Sequence, residues 1–343
     1  MSAPALPRGG ECDQGVAARA PQDGSAKGIT SRPWWPWLKR GVTLLFFALV
    51  AYFTVRYART VDWDEVWSSI VDTPRTVLLG AMALAAGSHA LYMCFDLLGR
   101  RYTGHTLSVG RVMRVNFISY AFNLNMGSLV GGVAFRYRMY TGYGLDYPTI
   151  TRVLTLSMLT NWLGYLVLAG VVFTFAPLEL PPDWKLSSRG LQFLGMALLA
   201  VAAVYFWMCA TAKERSVHIR GHELMLPPPR MALLQLVMSC TNWALISSII
   251  YVLLQGKVDY PSVLSVLLVA AVAGVITHVP AGLGVLEAVF VALLSHRVPE
   301  TQLLGALLTY RALYYIGPLI IAGALYLVME LRRKKTQDPE PTA

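Results

Sequence analysis

The chain has 343 residues, of which 55% are hydrophobic and 14% charged, and its formal net charge is +10. Ordinary soluble domains carry about 25% charged residues, so a water-solvated globular domain is excluded as the main architecture. The positive balance does not point to nucleic acid, because the basic residues flank apolar runs as topology signals do and no nucleic-acid-binding motif accompanies them.

Residues 1–36 are rich in Pro, Gly and Ala and read as a disordered tail. Arg8, Arg19, Lys27, Arg32, Lys39 and Arg40 are expected to hold it in the cytoplasm, and Trp34, Trp35 and Trp37 sit where an interfacial aromatic belt would. Residues 37–331 read as a transmembrane domain, and 332–343 as a basic and polar cytoplasmic tail. Six runs, 38–57, 76–98, 153–176, 191–210, 231–254 and 304–330, are long enough to cross a bilayer, since about 20 helical residues match the hydrocarbon thickness. A helix also satisfies its own backbone in lipid.

Two further apolar stretches are interrupted. The first, 113–140, breaks near Asn123-Leu-Asn-Met-Gly127, and the second, 262–295, at His278-Val-Pro280-Ala-Gly282. Each half holds about 13 to 16 residues, too few to span but enough to reach the midplane and return. The fold class expected is therefore all-α, a polytopic transmembrane helical bundle with about six full spans plus two re-entrant helical hairpins. Charge supports the hairpins. With the first entering from the cytoplasm and the second from outside, 20 of the 29 Lys and Arg fall inside and 7 outside, as the positive-inside rule asks.

This layout also contains an internal repeat. Span 76–98, hairpin 113–140 and span 153–176 form one unit, and span 231–254, hairpin 262–295 and span 304–330 form the other, in opposite orientation. Gly131-Gly132-Val-Ala-Phe-Arg136 echoes Gly282-Leu-Gly284-Val-Leu-Glu287. Inverted-topology repeats with broken helices are a recurrent transporter design.

Charges inside a bilayer are costly and need partners or a function. Here they are Asp96, Arg136, Glu287 and Arg311. The functional reading is a polar cavity for a charged lipid headgroup. Arginine suits phosphate through its two parallel donors, and half-helix ends near Gly282 add N–H groups and a positive dipole end. The structural reading is a set of ion pairs fixing the hairpins. Glu287 and Arg311 are expected to approach each other or share a headgroup. Asp96 is expected near a membrane end, paired with Arg100 at i+4. Asn123 and Asn125 either line the cavity or satisfy backbone freed at the hairpin tip. Tyr314 and Pro318 share a helical face with Arg311. His278, beside the second break, is either a structural histidine or a proton-coupling one.

No Walker motif, nucleophile elbow or zincin motif is present. Cys12, Cys94, Cys209 and Cys240 lack metal-ligand spacing, and His218 and His222 have no third ligand in sight. No enzyme activity, metal or cofactor is expected.

The segment Asn123-Leu-Asn-Met-Gly-Ser-Leu-Val-Gly131-Gly132-Val-Ala-Phe-Arg136-Tyr-Arg-Met-Tyr140 resembles a signature of the lysylphosphatidylglycerol synthase transmembrane family. His278-Val-Pro280-Ala-Gly282-Leu-Gly284-Val-Leu-Glu287 is similar to its second signature and Tyr310-Arg311-Ala-Leu-Tyr314-Tyr315-Ile-Gly-Pro318 to its third. Phe95-Asp96 through Gly104 resembles a segment of stand-alone Gram-negative members. The resemblance covers about 75–330. It implies a lipid-handling cavity built on Asp96, Arg136, Glu287 and Arg311, with Asn123, Asn125, Tyr140, His278 and Tyr314 around the substrate and Gly131, Gly132, Pro280, Gly282 and Gly284 shaping the hairpin backbone. The expected location is the bacterial inner membrane, and the distribution of Lys and Arg places both termini in the cytoplasm.

In multidomain members this domain is implicated in moving aminoacylated phosphatidylglycerol between leaflets, and a separate cytosolic domain makes that lipid. With that domain missing, aminoacyl transfer is not expected. The expected function is binding and translocation of phospholipid, of phosphatidylglycerol or cardiolipin type. The alternative is a non-transporting scaffold or regulator of a phospholipid synthase. The expected partners are membrane phospholipid and that synthase, not nucleic acid.

Overall fold

The computed structural model describes residues 63–176, 188–211, 216–219, 222–277 and 282–337 and the single positions 59, 178 and 279. The 1–36 tail, the 38–57 run, His278 and Pro280 lie outside the described residues. The fold below belongs to one compact unit, 61–343.

A short helix, α1 (Trp63–Val71), buries Val66 against the bundle and leaves Trp63 and Trp67 exposed. Pro74 then starts α2 (Arg75–Met93), which breaks at Cys94 and continues as α3 (Phe95–Thr103). At the break the Cys94 N–H bonds the Leu91 carbonyl at 3.0 Å, a tighter turn than the α-helical one. Helix α4 (Val109–Met126) ends at Gly127, whose φ of 85° reverses the chain. A π-helical stretch, Ser128–Ala134, and α5 (Phe135–Gly142) return along it. The return is tight: a Cβ on Gly131 would lie 2.1 Å from the Asn123 backbone nitrogen, so only glycine fits there. The outer ends of the two arms also meet, with the Arg111 guanidinium over the Tyr143 ring at 5.4 Å.

Helix α6 (Tyr147–Phe175) is capped by Asp146, which accepts from the Thr149 N–H at 3.4 Å. That bond, named first among the causes, holds the Asp146 carboxyl below its usual range. After α7 (Ser188–Thr211) come two short antiparallel strands, β1 (Ser216–Ile219) and β2 (His222–Met225). Every other element among the described residues is helical, as the all-α class expects. Alternating Val217 and Ile219 suit a strand better than a helix. The backbone register pairs His218 with Glu223 and Ile219 with His222.

Helix α8 (Pro229–Leu253) crosses α6 closely: a Cβ on Gly164 would sit 2.2 Å from Ser239 Oγ. Small residues at such crossings are how helices approach in lipid. Helices α9 (Tyr260–Thr277) and α10 (Val285–Leu294) form the second folded-back pair, with Gly282 and Gly284 at φ 55° and 77° between them. Arg297 bonds Asp259 at 2.9 Å, which ties the outer ends of this pair together. The final span runs through α11 (Glu300–Arg311), a π-helical stretch (Ala312–Ile316) and α12 (Gly317–Gln337). Pro318 explains the π stretch, because its ring has no N–H and crowds the carbonyl one turn back.

Among the described residues six helices are long and apolar enough to cross a membrane. Five coincide with the runs expected from sequence. The sixth, Tyr260–Thr277, is the first arm of the second broken stretch and corrects its expected length. The apolar pattern begins at Tyr260 and runs uninterrupted for 18 residues; the first arm of the other stretch is equally long. The spans expose Phe193, Trp207, Ile276 and Ile320, an outward apolar surface that fits lipid and not water.

Candidate functional site

The four intramembrane charges form two buried pairs. In the first, Arg136 on α5 donates through Nε to Asp96 Oδ2 at 3.0 Å and through NH2 to Oδ1 at 3.3 Å. Arg136 also donates to the Gly132 carbonyl at 3.1 Å and to Asn116 Oδ1. Asp96 is fully buried and accepts a further bond from the Tyr140 hydroxyl at 2.9 Å. Asn116 completes the arrangement from α4, donating to the Tyr92 carbonyl at 2.7 Å, where the break at Cys94 frees backbone acceptors. That break carries Asp96 inward. The expected Asp96–Arg100 pair is therefore corrected: Arg100 Nε donates instead to the Leu107 carbonyl at 2.6 Å.

In the second pair, Arg311 on α11 donates to both Glu287 oxygens, through Nε to Oε1 and through NH2 to Oε2 at 3.0 Å. Arg311 NH2 also reaches the Gly282 carbonyl at 2.9 Å, and the guanidinium lies 5.3 Å from the Tyr315 ring centroid. Each buried arginine thus bonds a carboxylate and a glycine carbonyl of a folded-back pair, Gly132 one turn earlier on the same arm for Arg136 and Gly282 at the turn for Arg311. Guanidinium, with five donors in a fixed fork, bonds both oxygens of the carboxylate and keeps a donor for the carbonyl.

A polar and aromatic cluster lies between the pairs. Tyr314 from the π-helical stretch bonds the Ser88 hydroxyl at 2.9 Å and the Tyr120 hydroxyl at 2.8 Å, and Ser88 donates to Asn242 Oδ1 at 2.8 Å. His89 packs against Tyr314 with ring centroids 4.6 Å apart. Asn125 donates to the Ala121 carbonyl on its own arm at 2.8 Å and to the Tyr315 carbonyl at 3.2 Å, so it ties the first hairpin to the last span. Asn123 lies against Gly132, and its Oδ1 is buried without a partner among the described residues.

Of the sequence-predicted residues, Asp96, Arg136 and Tyr140 come together, as do Glu287, Arg311 and Gly282. Tyr314 joins the cluster between them. Ser88, His89, Asn116, Tyr120 and Asn242 were missed. Their signal was a polar side chain inside an apolar run, which marks function in lipid even without charge. No group of three metal-ligating side chains occurs among the described residues.

Two clefts lie elsewhere. One, of about 240 Å³, is lined by residues including Glu65, Asp72, Lys257 and Gln302, and the other, of about 150 Å³, by Arg138, Tyr143, Tyr326 and Glu330 among others. None of the four paired charges lines either cleft.

Apolar spans around buried ion pairs and broken helices define a polytopic helical membrane protein. The family described as lysylphosphatidylglycerol synthase TM region matches residues 41–322, and the chain belongs to that family. It is 48% identical to Inner membrane protein YbhN of Escherichia coli (strain K12) over 91% of this chain and 99% of that protein. It is 32% identical to Uncharacterized protein slr0712 of Synechocystis sp. over 80% of this chain and 88% of that protein. It is also 23% identical to Phosphatidylglycerol lysyltransferase of Staphylococcus aureus (strain COL), over 83% of this chain but only 33% of that longer protein.

Proposed function

We propose that this protein binds phospholipid and moves it between the leaflets of a bacterial inner membrane, without enzymatic chemistry of its own. The carrying observation is that each of the two buried arginines is held by a carboxylate and also donates to a glycine carbonyl of a folded-back pair, Arg136 to Gly132 on the return arm and Arg311 to Gly282 at the turn. An anionic headgroup can take the place of the carboxylate on the same two donors, since phosphate and carboxylate present matching oxygens. A phosphatidylglycerol or cardiolipin-type lipid fits this exchange better than a neutral one. Headgroup entry then requires the arms of a hairpin to part, because the pairs are closed off in this conformation.

In this reading the two folded-back pairs are re-entrant from opposite membrane faces and belong to an inverted repeat. The meeting of their outer ends, Arg111 with Tyr143 and Asp259 with Arg297, supports it. The charge roles are also mirrored. The return arm carries the base, Arg136, in the first unit and the acid, Glu287, in the second. Both termini are then cytoplasmic. Single cysteines placed at Ser108 and Asp146 should react with an impermeant reagent from the same, cytoplasmic, face. Labelling from opposite faces would remove the re-entrant hairpin.

The function itself is tested with the purified protein in liposomes carrying a fluorescent phosphatidylglycerol in one leaflet. The expected result is faster loss of leaflet asymmetry than in protein-free liposomes, and faster than for a neutral lipid analogue. Equal rates with and without protein would refute translocation and leave the scaffold reading in its place.

A further inference from the structure

We infer that His89 is the proton-binding residue that couples lipid movement to a proton gradient; this rests on the translocation reading above. His89 is 5% exposed on α2, in the middle of a candidate span. Its Nδ1 lies 3.0 Å from the Ala85 carbonyl. A carbonyl only accepts, so Nδ1 carries the hydrogen, and in the neutral ring Nε2 is left as a lone-pair acceptor. That Nε2 is buried with no partner among the described residues, and so is Nδ2 of Asn242 in the same cluster. Unmet buried polar atoms are uncommon and call for an explanation. An intramembrane histidine with a free lone pair is the group that takes up a proton near neutral pH.

The surroundings make that proton consequential. The imidazole is packed by Phe117 and Tyr120 from α4 and by Tyr314 from the π-helical stretch of the last span. On its own helix, Tyr92 stacks on Tyr120 at 3.5 Å. Asn242 of α8 reaches the cluster through Ser88. The titratable groups around His89 are thus the Tyr92, Tyr120 and Tyr314 phenols. The charged groups are held nearby in the two ion pairs: Tyr92 is one turn from Asp96, and Tyr314 is one turn from Arg311. A second N–H on this ring would find aromatic side chains and no acceptor in the closed arrangement. Proton uptake at Nε2 therefore favours a conformation in which Tyr314 and Tyr120 part and water reaches the ring. Those hydroxyls join α2, the first hairpin and the last span, so parting them loosens both ion pairs together. The step forms one N–H bond at Nε2 with a proton from water on one side and breaks it as the proton leaves to water on the other; the lone pair returns to Nε2 and no other bond changes.

Two measurements test this. The first uses the full-length protein with the other five of its six histidines replaced by Gln, labelled at the remaining imidazole and titrated by NMR. The expected result is conversion from the Nδ1–H tautomer to imidazolium within about pH 5 to 8. An unchanging resonance, as for a histidine satisfied by an ordered water, overturns the proposal. The second follows fluorescent phosphatidylglycerol in proteoliposomes with and without a gradient of about one pH unit, which biases a single-proton step about tenfold. The wild type should respond to the gradient by up to that factor. His89→Asn, whose amide can keep the Ala85 bond, should show the same rate with and without it. Lipid movement indifferent to the gradient in the wild type overturns the coupling alone. No lipid movement in the wild type removes the translocation reading, and the coupling falls with it.

Discussion

Replacing Glu287 by Gln, or Arg311 by Gln, should each destabilise the protein by about 3–5 kcal/mol, the usual cost of leaving one member of a buried pair without the other. The reason lies in the contacts. Arg311 spends its fork on both Glu287 oxygens and on the Gly282 carbonyl. Without Glu287 the guanidinium keeps its charge, because arginine does not deprotonate in proteins. Without Arg311 the carboxylate and the Gly282 carbonyl lose their donors together. The double variant should lose less than the sum of the two, since no orphan charge remains. Thermal unfolding of all four proteins in detergent gives the cycle. Strict additivity would show that the two residues act separately.

Asp96→Asn should be at least as damaging, by about 3–5 kcal/mol, and more so than Arg138→Ala. Asp96 accepts from Arg136 and Tyr140 and is fully buried. Its loss leaves Arg136 charged beside Asn116 and Gly132, inside the first hairpin. Arg138, two residues on, is exposed, pairs with Glu330 at 2.9 Å and lies over the Tyr326 ring. Exposed pairs of this kind contribute about 0–1 kcal/mol. Thermal unfolding separates the two cases. A loss at Arg138→Ala equal to that at Asp96→Asn would mean that burial is not what matters.

How far the fold was legible follows from which signals are local. Apolar runs, glycine breaks and lone charges are one-dimensional features, and they located five of the observed spans, both chain reversals and the four paired charges. The Glu287–Arg311 meeting was also reachable, because both residues stand alone in apolar surroundings. Partner choice elsewhere was not. Asp96 has Arg100 one turn away in sequence, and only the break at Cys94 turns it toward Arg136, forty residues on. Ser88, His89 and Asn242 were hidden for a different reason. Each is a single uncharged polar residue in a long apolar run, and its importance depends on three helices meeting at Tyr314. The first arms are longer than expected because they begin before the apolar stretches do, at Val109 rather than 113 and at Tyr260 rather than 262, while the reversals fall at the glycine breaks.

The most direct test of whether the buried arginines serve lipid rather than the fold alone is translocation by the Glu287→Gln/Arg311→Gln double variant in liposomes, beside its thermal stability. The expected result is a protein whose stability has recovered relative to the Arg311→Gln single variant while movement of fluorescent phosphatidylglycerol remains at the protein-free rate. Translocation that recovers in step with stability would contradict a headgroup role and leave the pair as a structural clasp.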